Sequence, residues 1–239
     1  MLEIIATSVQ DALIIAEGNA DRIELVSALS EGGLTPSYDV MRQVISAANI
    51  PVNVMIRPHS TGFIYSEEDL LGMIEDIRQA RNYGANGIVF GMLTADGSVD
   101  LPILARLLAH CEGLEVTFHR AIDEAADILA ATNLVAATPI RRVLSSGGSG
   151  GSEGPGTRPG RATENLATLG QMQAILSAQG KALLVGGGVT LENCQHILQS
   201  TGALELHVGT GVRHGLSPHG TIDLTAVQEL VRTLKDAPS

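Results

Sequence analysis

The sequence predicts one α/β domain over residues 1–239, a closed (β/α)8 TIM barrel with a glycine-rich insertion at about residues 145–162. Short apolar runs alternate with segments of helical pattern, and most runs stop at glycine or at a charged or hydroxyl residue. The chain length of 239 residues also fits the size of one such barrel, about 250 residues. The eight runs are Leu2 to Ala6, Arg22 to Val26, Val52 to Ile56, Gly87 to Phe90, Val116 to His119, Arg142 to Leu144, Ala182 to Val185 and Glu205 to Val208.

Helix start and stop signals lie between these runs. The first helix is predicted at about residues 9–18, where Gly18 provides the stop. Thr35 and Pro36 predict the start of the second helix, because threonine caps a helix and proline suits its first position. Ser66 and the acidic residues after it open the third helix. The last helix is predicted at about residues 224–234, followed by a frayed tail of four residues.

The insertion after the sixth run contains seven glycines and two prolines between Ser145 and Ala162. It follows a strand, so we expect it at the mouth of the barrel. One interpretation is a mobile lid in which Arg158 or Arg161 reaches an anionic ligand, and the other is a surface insertion without a ligand.

The charge and composition of the chain argue against several classes of binding partner. The net charge is -11, and the only lysines are Lys181 and Lys235, so no basic surface for nucleic acid or anionic membrane is expected. No secretory leader or apolar stretch of about 20 residues is visible, which predicts a cytoplasmic protein. Cys111 and Cys194 are too few and too far apart to indicate a disulfide framework.

The sequence lacks the residues that several catalytic mechanisms and metal sites require. Neither lysine stands at a strand end, which argues against a Schiff-base mechanism. No Cys-x-x-Cys or His-Glu-x-x-His spacing is present, so we predict no cofactor and no preformed zinc or thiolate copper site. A looser metal site stays open as a minor alternative, with ligands from Glu3, Glu24, His119 and His207.

Ionisable residues are predicted to converge inside the barrel. Side chains alternate between the two faces of a strand, so residues two apart share the interior. Burying so many charges in an apolar barrel would be costly unless they are paired or used. The predicted site residues are Glu3, Glu24, Arg57, His119 and His207.

These residue types indicate two alternatives. In a ligand site, Arg57 would hold a carboxylate or phosphate, His119 would transfer protons near its reference pKa of about 6.5, and Glu24 or Glu3 would be the partner base. In a structural ion network, Arg57 would neutralise Glu24 and each histidine would donate to a carbonyl. Arg120 and Asp123, just past the fifth strand, are further candidates that could equally cap a helix.

Glycines follow the last two strands and predict an anion site. In many barrels the loops after strands seven and eight hold a phosphate, because glycine lets backbone N–H groups approach it. The alternative is tight turns that need positive φ. Three phenylalanines, Phe63, Phe90 and Phe118, map to strand ends or a mouth loop. They indicate either an apolar wall around a small ligand or residues that simply close the core. The predicted anion-binding glycines are Gly186, Gly187, Gly188, Gly209 and Gly211.

Blocks spread over nearly the whole chain resemble the CutC copper-homeostasis family. The resemblance implies a (β/α)8 barrel, a cytoplasmic location, a homodimer and copper as a partner ion. The blocks are Leu2-Glu3, ADRIEL at 20–25, LSEGGLTPS at 29–37, VMIRP at 54–58, GIVFGMLTADGSVD at 87–100, VTFHRAID at 116–123, RVLSSGG at 142–148 and GGGV at 186–189.

The chain departs from the family pattern at two positions. Members of the family often carry cysteines in the first strand and directly after the second, where this sequence has Ile5 and Val26. Soft Cu(I) prefers sulfur ligands, so the departure argues against copper binding at those positions. We therefore predict a CutC-like protein of copper homeostasis whose pocket suits a small anionic molecule. The alternative is an isomerase, lyase or hydrolase that acts on a small phosphorylated metabolite and has no direct copper role. A ligand-binding protein without turnover would use the same pocket.

Overall fold

The computed structural model describes residues 1–148 and 160–235, and these form a closed barrel of eight parallel strands. Each strand pairs with the next in the chain, and β1 pairs with β8 to close the ring. The fold class predicted from the sequence is confirmed. The strands are β1 Leu2–Ala6, β2 Arg22–Leu25, β3 Val52–Met55, β4 Gly87–Phe90, β5 Glu115–Phe118, β6 Arg142–Ser145, β7 Ala182–Val185 and β8 Glu205–Val208.

A helix follows each strand and covers the outside of the barrel. The main apolar core lies between the strands and the helices, as expected for this architecture. The helices are α1 Val9–Glu17, α2 Tyr38–Ala47, α3 Glu67–Tyr83, α4 Leu101–Leu108, α5 Ile128–Ala136, α6 Leu166–Ala178, α7 Cys194–Thr201 and α8 Leu224–Lys235.

Of two predicted helix starts, that of α3 is confirmed and that of α2 is wrong. Ser66 caps α3 with a reciprocal capping box to Asp69, and Gly84 ends that helix, as predicted. The predicted start of α2 at Thr35-Pro36 is wrong, because Ser37 caps this helix. Thr35 instead accepts a hydrogen bond from the backbone N–H of Arg57 through Oγ1 at 2.8 Å. Its hydroxyl therefore ties the end of β3 to the loop after β2.

An ion network closes the floor of the barrel, at the amino ends of the strands. Arg22 lies 2.9 Å from a carboxylate oxygen of Glu205, and Arg142 lies 3.2 Å from the same oxygen. Arg142 also pairs with Glu115 at 2.7 Å. Both arginines are buried, and paired carboxylates compensate the cost of burying them. The open end of the barrel is therefore the carboxyl end of the strands.

Part of the predicted insertion, residues 149–159, lies outside the described residues, as does the predicted tail at residues 236–239. The lid interpretation for Arg158 therefore stays a prediction. None of the helices that the structure describes has the length and apolar character needed to cross a membrane.

Candidate active site

A cavity of about 380 Å³ opens at the carboxyl ends of the strands. Four of the five predicted ionisable site residues line it, and the fifth, Glu3, lies beneath it in contact with His207. Its other walls are mainly apolar or glycine. The lining residues are Ile5, Glu24, Leu29, Ser30, Gly32, Met55, Arg57, Phe63, His119, Arg120, Leu144, Gly187, Gly188, His207, Gly209 and Thr210.

A chain of contacts links the floor of the cavity to its lining. Arg22 forms an ion pair with Oε2 of Glu3, and Oε1 of Glu3 lies 2.8 Å from Nδ1 of His207. Because a carboxylate only accepts hydrogen bonds, Nδ1 of His207 donates. The other ring nitrogen, Nε2, lies 3.6 Å from Oε2 of Glu24. Asn53 adds a 3.4 Å contact to Glu3. The His207 ring therefore has one fixed orientation.

This contact chain separates the pKa values of the two glutamates. Burial alone would raise the pKa of Glu3, but the charges of Arg22 and His207 outweigh it and lower the pKa to about 2. Burial raises the pKa of Glu24 to about 7, against the attraction of His207. Burial also opposes protonation of His207, but Glu24 and Glu3 outweigh it and raise the pKa of His207. At neutral pH, Glu3 is therefore ionised, whereas Glu24 exchanges its proton readily.

Glu24 is the less satisfied of the two. Its side chain is buried, and no hydrogen-bond partner for Oε1 is found within residues 1–148 and 160–235. Arg57 does not neutralise it, so the ion pair that the sequence suggested as a structural alternative is not formed. Arg22 is held by Glu3 and Glu205 instead.

Arg57 is a buried cation without a carboxylate partner in the described part of the chain. Its Nη1 donates to the backbone carbonyls of Glu31 at 3.1 Å and Gly33 at 3.2 Å. The guanidinium carbon lies 4.8 Å from the ring centroid of Phe63, a cation–π contact. Its Nε is buried and has no described partner. The side chain is thus held in place at the cavity wall with its charge uncompensated.

His119 is a neutral hydrogen-bond donor at neutral pH. Burial, reinforced by the charge of Arg57, lowers its pKa to about 3. This low pKa argues against the predicted proton exchange by His119 near pKa 6.5, and that role stays a prediction. Its Nδ1 accepts the backbone N–H of Ala121 at 3.1 Å, so the ring proton is on Nε2. Nε2 is buried, and no acceptor for it lies among the described residues.

The predicted phenylalanine wall is only partly present. Phe63 lines the cavity and contacts His119 with ring centroids 5.1 Å apart. Phe90 and Phe118 end β4 and β5, as predicted, but they are fully buried in the core between strands and helices and do not line the cavity, which agrees with the alternative that they close the core. Each lies one position away from an inward residue, and alternation along the strand directs it outward.

The glycine loops line only part of the cavity. Gly187, Gly188 and Gly209 reach it, whereas Gly186 and Gly211 do not. Gly187 and Gly188 have φ of 96° and 71°, so these two also meet the tight-turn alternative. A Cβ on Gly211 would collide with the carbonyl oxygen of Val189, which gives that glycine a packing role.

Arg120 joins this cavity to a second one of about 350 Å³, which Arg161 also lines. Asp123 holds Arg120 through Nε at 2.8 Å and accepts hydrogen bonds from the hydroxyls of Ser145 and Ser146. Asp123 therefore organises the end of β6 and caps none of the helices that the structure describes. Sequence reasoning missed both serines, although two adjacent hydroxyls directly after an apolar run were the available signal.

The fold and the cavity define a (β/α)8-barrel protein with a polar, ligand-sized pocket at the carboxyl ends of its strands. The family model described as "CutC family" matches residues 1–212. The human copper homeostasis protein cutC homolog is 42% identical over 208 residues, covering 87% of this chain and 72% of that protein. A CutC family protein of Aliivibrio fischeri is 39% identical over 193 residues, covering 80% and 74%. The chain belongs to the CutC family.

A solved CutC structure agrees with this assignment. The crystal structure of a putative copper homeostasis protein CutC from Streptococcus agalactiae has a TM-score of 0.78 and 31% identity, covering 87% of this chain and 97% of that one. A phosphoribosylanthranilate isomerase from Thermotoga maritima has a TM-score of 0.65 at 13% identity, covering 98% and 97%, which shows a shared fold only.

The cavity does not offer the donors that Cu(I) prefers. Thiolates and thioethers are the soft ligands of Cu(I), and Met55 is the only sulfur residue among the described lining residues. Cys111 and Cys194 do not line the cavity; their sulfurs bond to the carbonyls of Leu107 and Leu191. Burial raises the pKa of Cys111 to about 12, so it remains a thiol.

Proposed function

We propose that this CutC-family protein acts in copper homeostasis by binding a small anionic molecule, a phosphate or carboxylate, in the cavity of about 380 Å³. The family assignment supports the copper-related role. The observation that carries the anionic ligand is Arg57, a guanidinium that is 7% exposed and has no carboxylate partner among the described residues. We also propose that the protein works in the cytoplasm as a homodimer.

The chemistry of the pocket supports such a ligand. A buried charge is costly without a counter-charge, and an anion beside Arg57 would supply one. His119 also lines the cavity, and its Nε2–H, which has no acceptor among the described residues, is available to donate to a ligand oxygen. Phe63 contacts both residues, lying under the guanidinium of Arg57 and edge-to-face against the ring of His119. A ligand with one anionic end and a nearby oxygen would use both donors.

The corner formed by Gly187, Gly188 and Thr210 supports a second contact between the protein and the anion. Arg120, Gly187, Gly188 and Thr210 line both cavities, so a ligand bound at Arg57 can extend toward them. Arg120 is held by Asp123 and by the hydroxyl of Ser146 at 2.7 Å. A phosphate is the group we expect there, since barrels of this type commonly bind phosphate after strands seven and eight.

The test is thermal unfolding in inorganic phosphate, with sodium chloride at matched ionic strength as the reference. A ligand of the native state must raise the unfolding midpoint. We expect phosphate to raise it in the wild type and not in Arg57→Met. Arg42→Gln changes an exposed arginine on α2 and should behave like the wild type. An equal rise in all three proteins would contradict the proposal.

Crystals grown at high sulfate would locate the anion. We expect electron density for sulfate beside Arg57 or at the corner formed by Gly187, Gly188 and Thr210. The lack of such density at both places would contradict the proposal. Screening cell metabolites by the same thermal shift would then identify the physiological ligand.

A further inference from the structure

We propose that Glu24 and His207 bind a divalent transition-metal ion at the inner end of the cavity, and that Glu3 positions His207 for it. This inference goes beyond the proposed function and rests on other residues. Oε2 of Glu24 and Nε2 of His207 are 3.6 Å apart, too far for a hydrogen bond. Metal bonds of about 2.0–2.2 Å from each atom would bridge this distance with an angle of roughly 110–130° at the ion, near the tetrahedral value.

The charge of Glu24 supports a cation at this point. Glu24 is 1% exposed, and its Oε1 has no hydrogen-bond partner in the described structure. A buried carboxylate is normally paired, hydrogen-bonded or bound to a metal. The guanidinium of Arg22 is already held by Glu3 and Glu205. A divalent ion would give this carboxylate, whose Oε1 has no hydrogen bond and whose Oε2 is 3.6 Å from His207, a closer counter-charge.

The surroundings of His207 are those of a metal-binding histidine. Such histidines usually donate their other ring nitrogen to a carboxylate, which fixes the ring and makes it a better ligand. Nδ1 of His207 donates to Glu3 at 2.8 Å in this way. Glu3 is held in turn by Arg22 and Asn53, and Asn53 accepts from Asn86 at 2.9 Å. Ligand-capable atoms of Glu3, Glu24 and His207 all lie within 4.8 Å of one another.

The donor set defines the class of ion. One imidazole nitrogen with carboxylate oxygen suits Zn²⁺ and similar divalent ions, whereas Cu(I) prefers sulfur. Because Glu24 and His207 both line the cavity, the remaining coordination positions open toward it. Water or an oxygen of a bound anion would occupy them. Two protein ligands give a weaker site than the three or four of most zinc proteins.

The test is a titration of chelator-treated protein with Zn²⁺, followed by isothermal calorimetry. We expect one site in the wild type, and at least a tenfold loss of affinity in both Glu24→Gln and His207→Asn. Glu3→Gln should keep the stoichiometry and weaken binding roughly 10- to 100-fold, as expected when the carboxylate behind a metal-binding histidine is lost. His196→Asn and Glu229→Gln change exposed residues and should bind like the wild type.

A surface pair serves as the competing explanation. Nε2 of His59 lies 3.7 Å from Oδ2 of Asp69, nearly the same spacing in a more exposed place. Loss of Zn²⁺ binding in His59→Asn, with no change in Glu24→Gln and His207→Asn, would overturn the proposal. If those two variants do not fold, anomalous diffraction from wild-type crystals soaked in Zn²⁺ decides. A peak between Glu24 and His207 supports the site, and peaks only elsewhere refute it.

The two proposals fail separately. In buffer without phosphate, Arg57→Met should bind Zn²⁺ like the wild type, so failure of the phosphate proposal leaves this one standing. In chelator-treated protein without added metal, the phosphate effect should still depend on Arg57, so failure of the metal proposal leaves the phosphate proposal standing.

Discussion

Gly91 lies directly against the ring of His119: a Cβ on residue 91 would be 2.5 Å from Nδ1 and 2.8 Å from Cε1 of His119. The ring is buried and tied to the backbone of Ala121, so it cannot move without breaking that hydrogen bond. We therefore expect Gly91→Ala to lower the free energy of unfolding by about 1–3 kcal/mol through overpacking. Urea unfolding at pH 8 measures this change.

Gly72 provides the matched control for that substitution. It is exposed within α3, and a Cβ there would meet nothing within 4 Å. Alanine is the better helix former by about 1 kcal/mol, so Gly72→Ala should leave the protein equally or more stable. Equal destabilisation by both substitutions would show that Gly91 has no special relation to His119.

The pKa of His119 predicts how stability depends on pH. The folded protein holds this ring neutral down to a pKa of about 3, whereas the unfolded chain protonates it near 6.5. Below pH 6.5 the unfolded state therefore binds more protons at this residue, and its contribution to stability falls as pH falls. The slope is about 1.4 kcal/mol per pH unit for one proton.

His119→Asn should remove this contribution. Glu24 and His207 titrate in the opposite sense, so the informative quantity is the difference between the wild type and the variant. We expect the stability advantage of the wild type to shrink by about 2 kcal/mol between pH 8 and pH 5. His110→Asn changes an exposed histidine and should show no such trend. A pH-independent difference for His119→Asn would mean that the ring is solvated.

Strand ends and strand faces could be read from the sequence because alternation along a strand has a period of two. That rule placed Glu24, Arg57, His119 and His207 in one interior, and applied consistently it also directs Phe90 and Phe118 outward. Pairing could not be read in this way. Whether Glu24 meets Arg57 or His207 depends on how neighbouring strands are staggered, since Glu24 is level with Ile5 of β1 and Asn53 of β3.

The surroundings of individual side chains could not be predicted from the sequence either. The pKa of His119 depends on burial and on Arg57, two strands away around the barrel, and no local pattern carries that information. The same holds for Thr35, which has the sequence of a helix cap but bonds to the backbone of Arg57. Local capping rules name the candidates, and tertiary contacts select among them.

Ile5 and Val26 occupy positions where members of the family often carry cysteine, and this lack of sulfur leads to a prediction about copper. Anaerobic titration of the wild type with Cu(I), against a competing chelator, should show no tight stoichiometric binding. The cavity offers Met55 as its one described thioether, and one soft ligand is too few for tight binding. Tight binding that disappears in His119→Asn or His207→Asn would contradict this expectation.

Placing cysteines at positions 5 and 26 should create a copper site. Ile5, Val26, Met55 and Val89 form one apolar cluster, so sulfurs placed at positions 5 and 26 would lie close to the thioether of Met55. Ile5→Cys with Val26→Cys would then offer two thiolates and a thioether, the donor set that suits Cu(I). We expect one Cu(I) per chain in the same chelator competition, under reducing conditions that keep both thiols free.

Each single cysteine variant serves as a control, because one thiolate with Met55 should bind Cu(I) more weakly than two. Met55→Leu in the double variant keeps the volume of the side chain and removes the thioether, so it should weaken binding without unfolding the protein. Each cysteine also shortens a buried side chain, and a loss of about 1–3 kcal/mol in stability is expected for the pair. A folded double variant that fails to compete with the chelator would show that these two positions do not face one another closely enough to share an ion.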